Sequence, residues 1–164
     1  MSDFDPAAIF EVLQRHGVDY VLIGGTAAIL HGAANVTTDV DIVPEEGKRN
    51  LERLSAALTE LRARIRVAGE EDGVPFNHDA RSLSQVRIWN LVTDRGNLDI
   101  SFQPSGTDGF SDLHRHVEKV RIDNVDVPVA SLEDVIRSKE AADRVRDRAI
   151  LPVLRALLEE RQDR

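Results

Sequence analysis

The stretch YVLIGGTAAILHGAANVTTDVDIVPE, Tyr20 to Glu45, constrains this chain more than any other. An apolar β-type run ends in Gly24-Gly25, a helical pattern follows to Gly32, and Asp39 and Asp41 sit inside a second apolar run. Side chains two apart on a strand share a face. The two carboxylates therefore project together while Val40 and Ile42 project the other way. Like charges at that distance repel, so the pair near a buried strand is costly unless something compensates it.

A hard divalent cation is one such compensation, because Mg²⁺ takes one or two carboxylates together with substrate phosphates. Asp99, in NLDISF, is a third carboxylate in an apolar strand context, with Leu98 and Ile100 on the other face. Three strand carboxylates at one sheet edge would suit a two-metal site for phosphoryl or nucleotidyl transfer. The plainer alternative is a solvated strand edge, since Asp-x-Asp is common. Gly24-Gly25-Thr26 follows a strand and opens a helix, and glycine lets a backbone approach a ligand closely. Thr26 would add a hydroxyl donor. A lone Gly-Gly is often only a tight turn, so the weight lies in the glycines and aspartates falling on neighbouring strands.

The remaining pattern predicts a mixed sheet with helices, α/β or α+β, in one domain over 1–164. Asp5-Pro6 starts a helix ended by Gly17. Tyr20–Ile23, Val40–Val43 and Ile65–Val67 read as strands, Thr26–His31 and 46–61 as helices. Residues 69–83 read as a long polar loop. Val86–Thr93 and Leu98–Phe102 form a hairpin across DRGN, and Val117–Ile122 and Val125–Val129 a second across Asp123-Asn124. From Ser131 the chain is helical, with a Ser131/Asp134 capping box and a break near Asp143. Pro152 kinks the last helix or marks its first turn.

With 41% hydrophobic residues the chain can bury a core, and its apolar runs are too short to span a membrane. The acidic MSDFDPAA lacks a secretory layout, and no cysteine is present, so a reducing cytoplasm is expected and disulfides and thiolate metal sites are excluded. A net charge of −8 argues against tight nonspecific DNA binding. Residues 133–164 are charge-balanced, so the acid excess precedes them. His31 is expected to pack and hydrogen-bond. His78, His114 and His116 show no metal spacing, and Trp89 reads as core or edge.

GGTAAILHGAANVTTDVDI resembles motif I of the DNA polymerase β-type nucleotidyltransferase superfamily. Within it the chain looks most like the small AbiEii-like nucleotidyltransferases, many of them toxins of bacterial toxin–antitoxin pairs. Their motif runs roughly G-G-x-A, then H-G-x-x-R-x-T-x-D-[IV]-D, matched here by Gly24, Gly25, Ala27, His31, Gly32, Thr37, Asp39, Val40 and Asp41. Lys139 to Asp147 resembles the family's helical K-x-A-A-x-R-x-K-D. The chain departs from the pattern at Asn35, where the family has Arg, and at Asp143, where it has Gly.

The resemblance implies that Asp39, Asp41 and Asp99 hold Mg²⁺, or Mn²⁺ in its place, and that Asp99 helps activate an acceptor hydroxyl. It implies that Gly24, Gly25 and Thr26 cradle the triphosphate of an NTP. Lys139 and Arg144 would reach the phosphates and Asp147 would orient one of them. For Lys139 and Arg144, plain solvated helix charges are the competing reading; for Asp147, a salt bridge to Arg144. The acceptor would be a tRNA, a protein or a small hydroxylated molecule, and a cognate antitoxin would be a partner. Two alternatives stay open: a catalytically weakened nucleotide-binding or protein-interaction module, and an unrelated α+β domain with an acidic strand edge.

Overall fold

The structure, a computed structural model, describes residues 3–164. Met1 and Ser2, the head of the acidic N-terminus, lie outside the described residues. Helix α1 (Pro6–Arg15) starts as expected: the Asp5 carboxylate accepts from the Ala8 amide at 3.1 Å, and Pro6 needs no partner at the first position. It buries Ile9, Phe10, Val12 and Leu13. Strand β1 (Tyr20–Ile23) leads directly into α2 (Gly24–Leu30), which begins two residues earlier than Thr26. Strand β2 (Asp39–Pro44) runs back antiparallel to β1, and α3 (Lys48–Glu60) buries Leu51, Leu54 and Leu58. The buried Asn50 side chain ties α3 to the sheet, accepting from the Asp19 amide at 2.7 Å and donating to the carbonyls of Asp19 and Glu45.

The expected long loop is replaced by structure. Strand β3 (Arg64–Val67) turns at Gly69 into β4 (Glu70–Val74), and α4 (Ala80–Ser84) follows. The pattern hid β4 because an exposed edge strand carries charge rather than alternation, here Glu70, Glu71 and Asp72. It hid α4 because five residues are too few for helical periodicity. A reciprocal cap between Asp79 and Ser82 sets its start.

Strands β5 (Ile88–Thr93) and β6 (Gly96–Ser101) form the first expected hairpin, slightly shifted. Helix α5 (Phe110–His114), again five residues, has no clear sequence signal. Strands β7 (Glu118–Ile122) and β8 (Val125–Val129) form the second hairpin. Helix α6 (Leu132–Ala142) is capped by Ser131, whose hydroxyl accepts from the Asp134 amide at 3.1 Å. The Asp134 carboxylate does not complete the box; it takes Arg137 instead. Asp143, left-handed at φ +50, breaks the chain before α7 (Val145–Gln162). Pro152 lies inside α7, beyond its first turn.

The eight strands form one mixed sheet in the order β4-β3-β5-β6-β2-β1-β8-β7. The parallel pairs are β2–β6 and β1–β8. Val40, Ile42, Leu98 and Ile100 are fully buried in the core with Phe10 and Phe102. The alternating positions of β2 and β6 are turned to the opposite face, and that face carries the aspartates. No helix among the described residues is long and apolar enough to cross a membrane.

Candidate active site

Cross-strand register assembles the site. Ile23 pairs with Asp41, Asp41 with Asp99, and Asp99 with Asn90, across β1, β2, β6 and β5. Residues paired across a ladder share a face. One row therefore carries Asp41, Asp99 and Asn90 side by side. Continuing the β3–β5 register past Ile65↔Leu91 brings Arg66 into the same row. The Arg66 Nη2 donates to Asp99 Oδ1 at 2.5 Å and to the Leu91 carbonyl at 3.2 Å.

Burial pushes the Asp41 carboxyl up from its ordinary 3.8 to about 7, and the neighbouring charges of Asp99 and Asp39 add to the rise. Lys139 and Arg146 oppose it. Burial also raises Asp99, against the pull of Arg66. Asp39 stands two residues away on the same face. Its Oδ1 accepts from Asn97 Nδ2 and Thr38 Oγ1, both at 3.2 Å.

Gly24 has φ +75, and a Cβ there would collide with the Asp41 carboxylate. At Gly25 a Cβ would stand 3.1 Å from Thr37. The close approach is thus a property of the site. Gly24→Ala is expected to destabilise the fold by about 1–3 kcal/mol through left-handed strain and displacement of Asp41. Chemical denaturation checks it.

The basic residues come from the α6–α7 joint. Lys139 is 13% exposed, and its Nζ lies 3.5 Å from Asp147 Oδ1. Asp147, fully buried at the third position of α7, accepts from Arg144 Nε at 2.7 Å and from the Arg144 amide at 3.2 Å. Burial favours the protonated acid, but Arg144 and Lys139 outweigh it and hold Asp147 below its ordinary range.

A cleft of about 780 Å³ joins these groups. Gly24, Gly25, Asp39, Asp41, Asp99, Lys139 and Arg144 all line it. Two expected residues are not among its lining. The Thr26 hydroxyl donates to the Asp39 carbonyl at 3.0 Å, which holds the start of β2. Asp147 lies behind Lys139 and Arg144. Arg66, Asn90 and Arg146 line the cleft as well and were not anticipated as site residues. Arg64 and Arg66 alternate around Ile65, which marks a polar strand face, but only the register aims Arg66 at Asp99. His31 packs as expected, its Nε2 2.7 Å from the Ala130 carbonyl.

The expected metal set is not closed as it stands. Among the described residues, no three Asp, Glu, His or Cys side chains converge to ring a cation. Arg66 occupies one oxygen of Asp99, and Asp39 is turned to Asn97 and Thr38. The donor chemistry nonetheless fits a hard cation completed by phosphate oxygens, because Asp41 is a buried carboxylate beside Asp99 that forms no salt bridge among the described residues, Lys139 and Arg146 only partly offsetting its burial.

No protein-family model and no curated protein matches the chain. Solved structures do. The lincomycin-bound lincosamide antibiotic adenylyltransferase LnuA is 16% identical over 93% of this chain and 95% of its own, with TM-score 0.61. The antibiotic-resistance factor ANT(2'')-Ia is 13% identical over 96% and 91%, with TM-score 0.53. A candidate nucleotidyltransferase from Thermotoga maritima is 17% identical over 94% and 91%, with TM-score 0.52. The chain therefore has the nucleotidyltransferase fold, a mixed eight-stranded sheet flanked by helices.

Proposed function

We propose that this protein is a divalent-cation-dependent nucleotidyltransferase, one domain over 1–164, that moves NMP from an NTP to a hydroxyl acceptor. The observation that carries this reading is the in-register pair Asp41 and Asp99 on parallel strands, in one cleft with Gly24-Gly25, Lys139, Arg144 and Arg146. A strand carboxylate raised to about 7 by burial is a cost to the fold, and perturbed acids in a cleft mark functional sites.

Asp41 and Asp39 would hold Mg²⁺ or Mn²⁺, with Asp99 beside them. The cation, when bound, supplies positive charge against the phosphate oxygens. Gly24 and Gly25 bring the backbone close to the triphosphate. Lys139, Arg144 and Arg146 offset charge on its β- and γ-phosphates. The acceptor oxygen forms a bond to the α-phosphorus as the bond to the bridging oxygen breaks, and pyrophosphate leaves with that electron pair. Asp99 takes the hydroxyl proton through the oxygen that Arg66 does not occupy. Asp147 keeps Lys139 and Arg144 in place.

Among acceptors, the likeness to LnuA and ANT(2'')-Ia favours a small molecule over a tRNA or a protein, and a net charge of −8 agrees. A toxin role with a cognate antitoxin rests on the motif resemblance alone. Incubation with α-labelled NTPs and separate pools of small hydroxylated metabolites, tRNA and protein is expected to label the small-molecule pool, with pyrophosphate released in equal amount. No label in any pool would contradict transfer.

Asn35 favours a second reading, a binding module that no longer turns over. It stands where the resembled motif has Arg, lines the cleft, and its Nδ2 would be 3.5 Å from a Cβ on Gly25. Tight NTP binding without product, unchanged in Asp99→Asn, would support it over the first.

A further inference from the structure

We propose that the half of the cleft over β5 and β6 is an acceptor subsite for a hydroxyl compound carrying an anionic group, phosphate or carboxylate, with Arg66 the residue that reads the anion. This rests on the nucleotidyltransferase reading and narrows its substrate class.

The direction comes from the charges. Lys139 and Arg146 act on Asp41, and Gly24 packs on its carboxylate, so the phosphate-binding end lies toward β1 and α6. In-line transfer sets the attacking oxygen opposite the leaving group. The attacking hydroxyl therefore enters from the other end of the row, past Asp99, over β6 and β5. The cleft residues on β5, β6 and β3 there include Ile88, Asn90, Ser101 and Arg66.

Its chemistry is one-sided. Among the described residues its only carboxylate is Asp99, which gives one oxygen to Arg66 and the other to the attacking hydroxyl, so an ammonium group finds no further acid there. Arg66 has donors to spare. Nη2 serves Asp99 and Leu91, Nη1 makes no hydrogen bond among the described residues, and Nε is buried with no partner. The buried Nε cannot reach a ligand, so Nη1, with its two N–H groups, is the donor left for a phosphate or carboxylate oxygen. Ile88, 59% exposed at the mouth, offers apolar surface to the acceptor's carbon frame.

One three-carbon frame separates the charges: glycerol, glycerol 3-phosphate, glycerate and 3-amino-1,2-propanediol. Binding to the full chain without NTP or metal is read by ligand-observed NMR, and transfer from labelled NTP is read in parallel. The expected result is at least tenfold tighter binding of glycerol 3-phosphate or glycerate than of glycerol, with the amine weakest. Whichever anion binds better names the group. Arg66→Gln should erase the preference and Arg66→Lys should restore part of it. Equal binding of all four, no binding of any, a preference for the amine, or a preference that survives Arg66→Gln would overturn the subsite. Anion binding that depends on Arg66 in a protein that binds no NTP would keep the subsite and overturn nucleotidyl transfer instead.

Discussion

Asp41→Asn is expected to melt higher than the wild-type protein and to lose at least a hundredfold in affinity for an NTP with Mg²⁺. The two effects have one cause. Burial, with Asp99 and Asp39 beside it, lifts the Asp41 carboxyl from its ordinary 3.8 to about 7. Well below pH 4 the group is neutral in both folded and unfolded chains. Between pH 4 and 7 the unfolded chain ionises while the folded one keeps its proton, so stability falls as pH rises, then levels off above 7. At about 1.4 kcal/mol per pKa unit, the group costs the cation-free fold roughly 2–4 kcal/mol at pH 8. Asparagine has no such charge. Urea denaturation in EDTA should show a stabilised variant at pH 8 and a difference that vanishes near pH 4. Equal or lower stability at pH 8 would contradict the placement of Asp41 as a buried acid that Lys139 and Arg146 only partly offset.

Asp147→Ala is expected to act with the opposite sign on stability. Asp147 is fully buried, and it accepts from Arg144 through both side chain and amide, with Lys139 close by. Removing it leaves the mostly buried Lys139 unpaired and uncaps α7, which should destabilise the fold by about 2–4 kcal/mol. Because the folded-state acid is held below its ordinary range, its contribution is present above pH 4 and lost as pH falls through the lowered value. The gap between wild type and variant in a denaturation series should therefore close in acid. NTP affinity should also drop, about tenfold, as Lys139 and Arg144 lose their anchor.

The elements with strong local signals were legible in the sequence. Asp5-Pro6 and Ser131 mark helix starts by their own chemistry, and Asp123-Asn124 marks a hairpin. Asp39 and Asp41 share a face by strand periodicity alone, and both line the cleft. What stayed hidden depends on neighbours. Strand β4 is charged because it is an edge, and α4 and α5 are too short to repeat. Arg66 meets Asp99 from 33 residues away, a pairing set by register and invisible to spacing. Thr26 looked like a phosphate donor from its place after two glycines, yet its hydroxyl is bonded to the Asp39 carbonyl. For Asp147 a salt bridge to Arg144 and a place at the site were competing readings; the structure forms the bridge, directly behind two cleft cations.

Cation-dependent nucleotide binding at Asp41 is tested by calorimetric titration of each NTP into wild-type protein and Asp41→Asn, with Mg²⁺ and with EDTA. Binding to the wild type should require Mg²⁺ and should be absent from the variant. Binding that ignores both the cation and Asp41, or no binding of any NTP to the wild type, would contradict it.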